Sequence, residues 1–480
     1  MALGTVPNDV HVYQHVQSYQ VLQRQRDTDT AWVEGKDNQR YELNVGGPYT
    51  VDDAHQVMVG DIWILAGQSN MRGYGFFDDN DNDNSKNSSS SNNNNNNNNK
   101  GCHVFQSCES WGMVPANRPV HHLATSPRSV HHTLPDPTVR EPSIVFDRGA
   151  SLAPAFVRKY ERTLGVPVGV VPCAHGGVTI QQWMKHDDND DNNSNADGTL
   201  YGAMMDKIRL VGGHYTGVLW YQGESDAVHF DTAALYLRDF TRWICQLHDD
   251  ISQKAFFVYA QIGRTISDGG DKIDLAWSMV RKAQLDICLQ EHHFGERRIA
   301  IVSTVDTDMD DYIHLSASGL RKVGGRMADA ATALVANASR ESAMIYATDV
   351  TMIHLPYNHG KHWRHILRLD LNLQQNVTWR NKDMITGFTI HDMHPSRDRL
   401  LQVDVIHSAR INDQQQVDLY LTEKGYQQIV AGEVGQYVLR YGYGKNPQCN
   451  LVTTTNVAAL AFGPLPILVT SLPDSGVRLD

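Results

Sequence analysis

The feature that most restricts the fold is the stretch from Gly60 to Gly75, GDIWILAGQSNMRGYG. Ile62, Trp63, Ile64, Leu65 and Ala66 form an unbroken apolar run that stops at Gly67, and Ser69 follows at once. A short continuous apolar run ended by glycine is the pattern of a strand buried on both faces, as in mostly parallel sheets. Ligands and catalytic groups gather at the carboxyl ends of such strands. Ser69 therefore stands where a nucleophile would have to stand. Taken alone, a Gly-x-Ser reads first as a polar turn between strand and helix, so the case for Ser69 rests on three further segments.

Those segments lie in a region where strands and helices alternate. Strands are expected at Val166–Cys173, Gly217–Tyr221, Ala255–Ile262 and Ile299–Val305. Helices are expected at Ser151–Leu164, Asp231–Leu247, Ile273–Gln290 and Ala317–Ala336. Such alternation argues for right-handed β-α-β units, about five parallel strands, three layers and a flavodoxin-like order. Residues 1–58 hold short alternating stretches such as Arg40–Val45 and read as a small β-rich N-terminal module. Residues 59–340 are the α/β domain. From 341 to 480 short alternating runs return, among them Met352–Leu355, Ile366–Leu369, Gly387–Ile390 and Leu401–Val405, and predict a β-rich C-terminal module. Two Asp/Asn-rich runs, about 78–100 and 187–197, cannot bury apolar surface and are read as disordered insertions at one rim of the sheet.

Composition excludes several function classes. At 480 residues with 41% apolar and 20% charged side chains, the chain can build a large core. A net charge of −12 without a basic run gives no support to nucleic-acid binding. No apolar run has membrane-spanning length. The start, MALGTVPNDVHVY, shows no signal peptide, so the cytoplasm is the default expectation, or a lysosomal or secreted location if the N-terminus is incomplete. The six scattered cysteines predict free thiols, with one local bridge open between Cys102 and Cys108. Adjacent histidine pairs at 121–122, 131–132 and 292–293 lack metal-ligand spacing, and no metal or organic cofactor is expected.

Four blocks at strand ends carry the chemistry. They are Gly67–Met71 (GQSNM), Ala174–Ile180 (AHGGVTI), Trp220–Asp226 (WYQGESD) and Asp311–Ser316 (DYIHLS). The first is not the G-x-S-x-G elbow, because Met71 takes the place of the second glycine. A serine hydroxyl needs a base, and a carboxylate can orient an imidazole and support its charge. Asp311 and His314, three apart, can meet through Nδ1 and leave Nε2 for Ser69. The developing oxyanion needs donors. The candidates are the Ser69 N–H, the Gly177 N–H (Gly176 being the alternative) and the Gln222 side-chain amide.

Together GQSNM, HGGVTI, WYQGESD and DYIH resemble the SGNH hydrolase superfamily, and within it the sialate O-acetylesterase-type carbohydrate esterases. The resemblance implies Ser69 as nucleophile, Asp311 and His314 as acid and base, and Ser69, Gly177 and Gln222 as the oxyanion hole. It implies an acetylated carbohydrate as substrate, sialate-like first and plant-type polysaccharide such as xylan second. A catalytically silent carbohydrate-binding protein on the same scaffold is the reading from another class. Around the site, Glu224 is expected to order its loop and Arg72 to be a solvated surface residue. Trp63 and Trp220 are expected in the core, with Trp111 and Trp183 as candidates for stacking on a sugar.

Overall fold

The computed structural model describes residues 2–3, 10–77, 101–115, 118–121, 148–185, 199–250, 255–290, 298–337, 344–357, 362–373, 377–394 and 400–468. Both Asp/Asn-rich runs lie outside the described residues.

The architecture is mixed α/β around a large mixed sheet. Its central strands run parallel to one another: β1 (Ala54–Gly67), β2 (Val168–Pro172), β3 (Gly217–Tyr221), β4 (Phe256–Ala260) and β5 (Ile299–Val302), and the short strands Val21–Gln23 and Cys102–Phe105 also pair in parallel with β1 and β2. Their order across the sheet is β2-β1-β3-β4-β5. An antiparallel hairpin, Cys102–Phe105 with Trp111–Val114, extends the β2 edge. The first half of β1 pairs instead with Val21–Gln23 and Gly46–Val51, so β1 runs straight through the position where the sequence suggests a boundary.

Helices cover both faces. Trp63 of β1 meets Phe156 and Tyr160 of α1 (Ala153–Leu164), with ring centroids 5.3 and 5.8 Å apart. On the opposite face Trp220 of β3 packs on Trp243 and Phe240 of α2 (Phe230–Asp250) at 4.2 and 5.7 Å. Helices α3 (Asp271–Leu289) and α4 (Ala317–Val335) complete these layers. With both faces covered, Ile62 to Ala66 are all fully buried, which is why this segment shows no alternation.

Residues beyond 344 form two four-stranded antiparallel sheets and the helix Glu423–Val430. Their apolar core is continuous with that of the large sheet. Two buried polar side chains also tie them on. Arg281 donates to the carbonyls of Ile262 and Gly442 at 3.1 and 2.9 Å, and Gln261 exchanges hydrogen bonds with the backbone of Ala461 at 2.7 and 3.0 Å. The N-terminal residues Leu22, Val33, Leu43 and Val57 make a separate cluster. All six cysteines are free, so the local bridge open to Cys102 and Cys108 is not formed. No helix among the described residues is long and apolar enough to cross a membrane.

One buried ion pair joins three parts of this frame. Asp61 is fully buried and accepts two bonds from Arg24 at 3.0 Å, one from Tyr160 at 2.7 Å and one from Thr216 at 2.8 Å. Burial acts to raise the carboxyl pKa, but Arg24, Tyr160 and Thr216 together hold it below the usual range. Its contribution is therefore present above the unfolded carboxylate pKa and is lost as pH falls through and below that value. Asp61→Asn leaves the mostly buried Arg24 guanidinium with Asp29 as its carboxylate partner and removes its buried one, and is expected to cost roughly 3–5 kcal/mol in urea unfolding at pH 7. The gap between wild type and variant should narrow below about pH 4.

Candidate active site

Every predicted block falls at the carboxyl edge of the parallel strands. Gly67 ends β1 at φ +130°, and a Cβ there would lie 2.2 Å from the Tyr221 carbonyl oxygen, so only glycine lets β1 and β3 run this close. The chain then turns into the single helical turn Ser69–Arg72. Ser69 is its first residue, and its N–H has no acceptor within the turn.

Ser69, Gly177, Asp311 and His314 line one cavity of about 700 Å³. Asp311 Oδ2 lies 2.9 Å from His314 Nδ1, and Oδ1 accepts from the backbone N–H groups of Ile313 and His314 at 2.9 and 2.8 Å. Burial pushes the Asp311 pKa up, but the His314 ring and these two amides outweigh it and hold the carboxyl well below the usual range. With Nδ1 against a carboxylate, Nε2 is the nitrogen left to act as base. No hydrogen bond joins Ser69 to the ring among the described residues; in unliganded sites such contacts commonly tighten only around substrate. Gly177 sits at φ +70°, and a Cβ added there would meet nothing within 4 Å, so its backbone is open to a bound group.

Gln222 is a correction. It is fully buried and does not line the cavity. Its Nε2 donates to Val178 O at 3.1 Å and Asp226 Oδ2 at 2.5 Å, and its Oε1 accepts from Tyr236 at 3.0 Å. An amide with both donors spent inside the protein has none for an oxyanion. The side-chain amide that does line the cavity is Gln68, whose Oε1 accepts from the N–H groups of Gly223 and Ser225, both at 3.3 Å. Its signal was its position, directly before the serine.

The aromatic expectations divide. Trp63 and Trp220 are core residues. Trp183 is also fully buried, against Trp220 and Trp243, and Trp111 is buried beside Phe105, so neither is free to stack on a sugar. Trp277, Tyr74 and Tyr312 line the cavity instead, and Tyr74 lies 4.4 Å from the His314 ring. Arg72, expected in solvent, is 6% exposed and lines the cavity. Arg148 had no motif to reveal it. Its guanidinium lies over Phe76 at 3.9 Å and donates to Asp311 Oδ2 at 2.8 Å. Among the described residues no group of three or more His, Cys, Asp or Glu side chains could hold a metal ion.

Two polar residues join the segments. Asn70 Nδ2 donates to Glu224 Oε1 at 2.7 Å and to Ile313 O at 3.3 Å, while its Oδ1 accepts from Leu315 N–H at 3.0 Å. The residue after Ser69 thus grips the chain on both sides of His314. Glu224 is buried with Oε2 unpartnered; burial raises its pKa to about 7, against the Asn70 bond that lowers it.

The candidate site thus combines a mixed α/β sheet, a serine turn at a strand end and an Asp–His pair on one cavity. Residues 59–333 match the family model for carbohydrate esterases described as sialic acid-specific acetylesterases, and the chain belongs to this family. A probable carbohydrate esterase of Arabidopsis thaliana is 33% identical over 144 residues, which are 29% of this chain and 48% of that protein. The chain thus spans about half the length of that curated relative. Among solved structures, a carbohydrate acetylesterase from Xanthomonas citri superposes with a TM-score of 0.58 at 18% identity, over 93% of this chain and 97% of the other. At that identity the likeness is one of fold.

Asn70→Ala removes all three bonds and with them the direct tie between the Ser69 turn and the backbone on either side of His314. We expect kcat on p-nitrophenyl acetate to fall on the order of 10²-fold with KM little changed. Glu224 gives a pH signature. Its folded pKa is raised, so the folded state holds the proton longer and stability falls as pH rises from about 4.5 to about 7. Denaturation curves of Glu224→Gln across this range should lack that component.

Proposed function

We propose that the protein is a serine esterase that removes O-acetyl groups from a carbohydrate. The observation that carries this reading is the shared cavity of Ser69 and the Asp311–His314 pair. Ser69 Oγ attacks the acetyl carbonyl while His314 Nε2 takes its proton. Asp311 keeps the ring in the required tautomer and supports the imidazolium. The Ser69 and Gly177 N–H groups receive the oxyanion, and the Gln68 amide takes the third place that Gln222 cannot fill. His314 then protonates the departing sugar oxygen. The same ring activates water to cleave the acetyl-enzyme and regenerate Ser69.

The cavity walls suit a small acyl group. Val228, Ile273 and Trp277 supply apolar surface beside the polar residues. Family membership favours sialate-type esters, and acetylated plant polysaccharide is the other substrate class. The N-terminal, α/β and C-terminal portions divide near residues 58 and 340 in this reading, with catalysis confined to the middle one.

Wild type should turn over p-nitrophenyl acetate, and Ser69→Ala should lose at least about a thousandfold in kcat. Equal rates for the two proteins would leave the silent carbohydrate-binding scaffold as the remaining reading. Acetate release from O-acetylated sialic acid and from acetylated xylan, measured side by side, decides the substrate class.

A further inference from the structure

A second cavity, of about 500 Å³, lies on the sheet formed by Thr351–Tyr357, His362–Leu369, Val417–Leu421 and Ile406–Ile411. It shares no lining residue with the catalytic cavity. Three large aromatic rings, Tyr357, Trp363 and Tyr420, border it together with the imidazoles of His365 and His407. Tyr357 and Trp363 are 41% and 36% exposed, so their faces are open to a ligand. Two guanidinium groups, Arg364 and Arg410, share the same walls, and Arg364 lies over the Tyr357 ring at 5.1 Å.

Neither arginine has an ion-pair partner among the described residues. The neighbouring carboxylates are already engaged. Asp418, which pairs with Arg410 across the strands, is held by Arg368 at 2.6 and 2.8 Å and by Asn412 at 3.3 Å. Glu423 Oε2 lies 3.3 Å from His365 Nε2, and its Oε1 accepts from Gln427 at 3.0 Å. On a chain of net charge −12, one cleft therefore places two guanidinium groups without an ion-pair partner among the described residues, against the single lining carboxylate of Glu423, beside flat apolar rings.

Guanidinium groups match carboxylates in charge and in planar two-point geometry. Aromatic faces offer apolar contact to flat ligand surfaces while their polar edges stay wet. A ligand that uses both is a sugar ring carrying a carboxylate. We infer that this cleft binds a uronic-acid unit of a polysaccharide and holds the polymer away from the catalytic cavity. The choice of a sugar polymer rests on the carbohydrate-esterase reading; the charge and ring arrangement stands apart from it.

The test uses the full chain in affinity electrophoresis through gels containing polygalacturonate, hydroxyethyl cellulose or dextran sulfate. Wild type and Ser69→Ala should be retarded by polygalacturonate and pass freely through the neutral glucan. Arg364→Gln/Arg410→Gln and Trp363→Ala should each bind polygalacturonate at least tenfold more weakly, with thermal melting and p-nitrophenyl acetate turnover unchanged. Absence of retardation for wild type overturns the inference, as does equal retardation of the variants. Equal arginine-dependent retardation by dextran sulfate also overturns it, because the cleft would then be a general polyanion patch. If the esterase reading alone is wrong, turnover is missing while arginine-dependent binding to polygalacturonate persists.

Discussion

The structure depends on the burial of β1 from both sides. Ile62 to Ala66 have no solvent-facing positions, so helices must cover the sheet above and below, and parallel neighbours must flank it. The close approach of Gly67 to Tyr221 then fixes the height at which the chain leaves the sheet. Ser69 inherits its position from that exit. A larger residue at 67 would separate β1 from β3 and move the serine turn relative to everything it faces.

Above the sheet the loops are held by polar groups, at a cost in desolvation. Gln68, Asn70, Gln222, Glu224 and Asp226 are all buried. Their bonds run between segments far apart in sequence: Gln68 to the Gly223 and Ser225 amides, Asn70 to the backbone around His314, and Asp226 to Ile180 N–H. Buried polar groups left without partners are expensive, so such a network favours one arrangement of the loops over others. The cost shows where satisfaction is incomplete. Glu224 Oε2 has no partner, and burial keeps Glu224 and Asp226 at about 7 and about 6.

Much of the α/β frame was legible because its signals are local and strong. The strand Gly217–Tyr221 and the helix starting at Ala317 occur where the pattern of apolar residues places them. The hairpin Cys102–Phe105 with Trp111–Val114 was not legible: its strands are short and join the sheet only at an edge. Among site residues, Asp311 and His314 were readable together because three residues of separation is a local geometry. Gln222 was misread because both of its candidate environments, cavity and interior, begin at the same strand end. What separates them is whether Val178 O and Asp226 lie within reach, which no spacing along the chain reveals.

The sequence by itself determined the alternation of strands and helices, the placement of Ser69 at a strand end and the pairing of Asp311 with His314. Each follows from a periodicity or separation of a few residues, over which backbone geometry is nearly fixed. Only the tertiary structure decided that Trp183 and Trp111 belong to the core, that Arg72 and Arg148 face the site, and that Gln68 rather than Gln222 borders the cavity. Those outcomes depend on which distant side chains and carbonyls compete for the same donors and the same space, and that competition exists only once the chain has closed on itself.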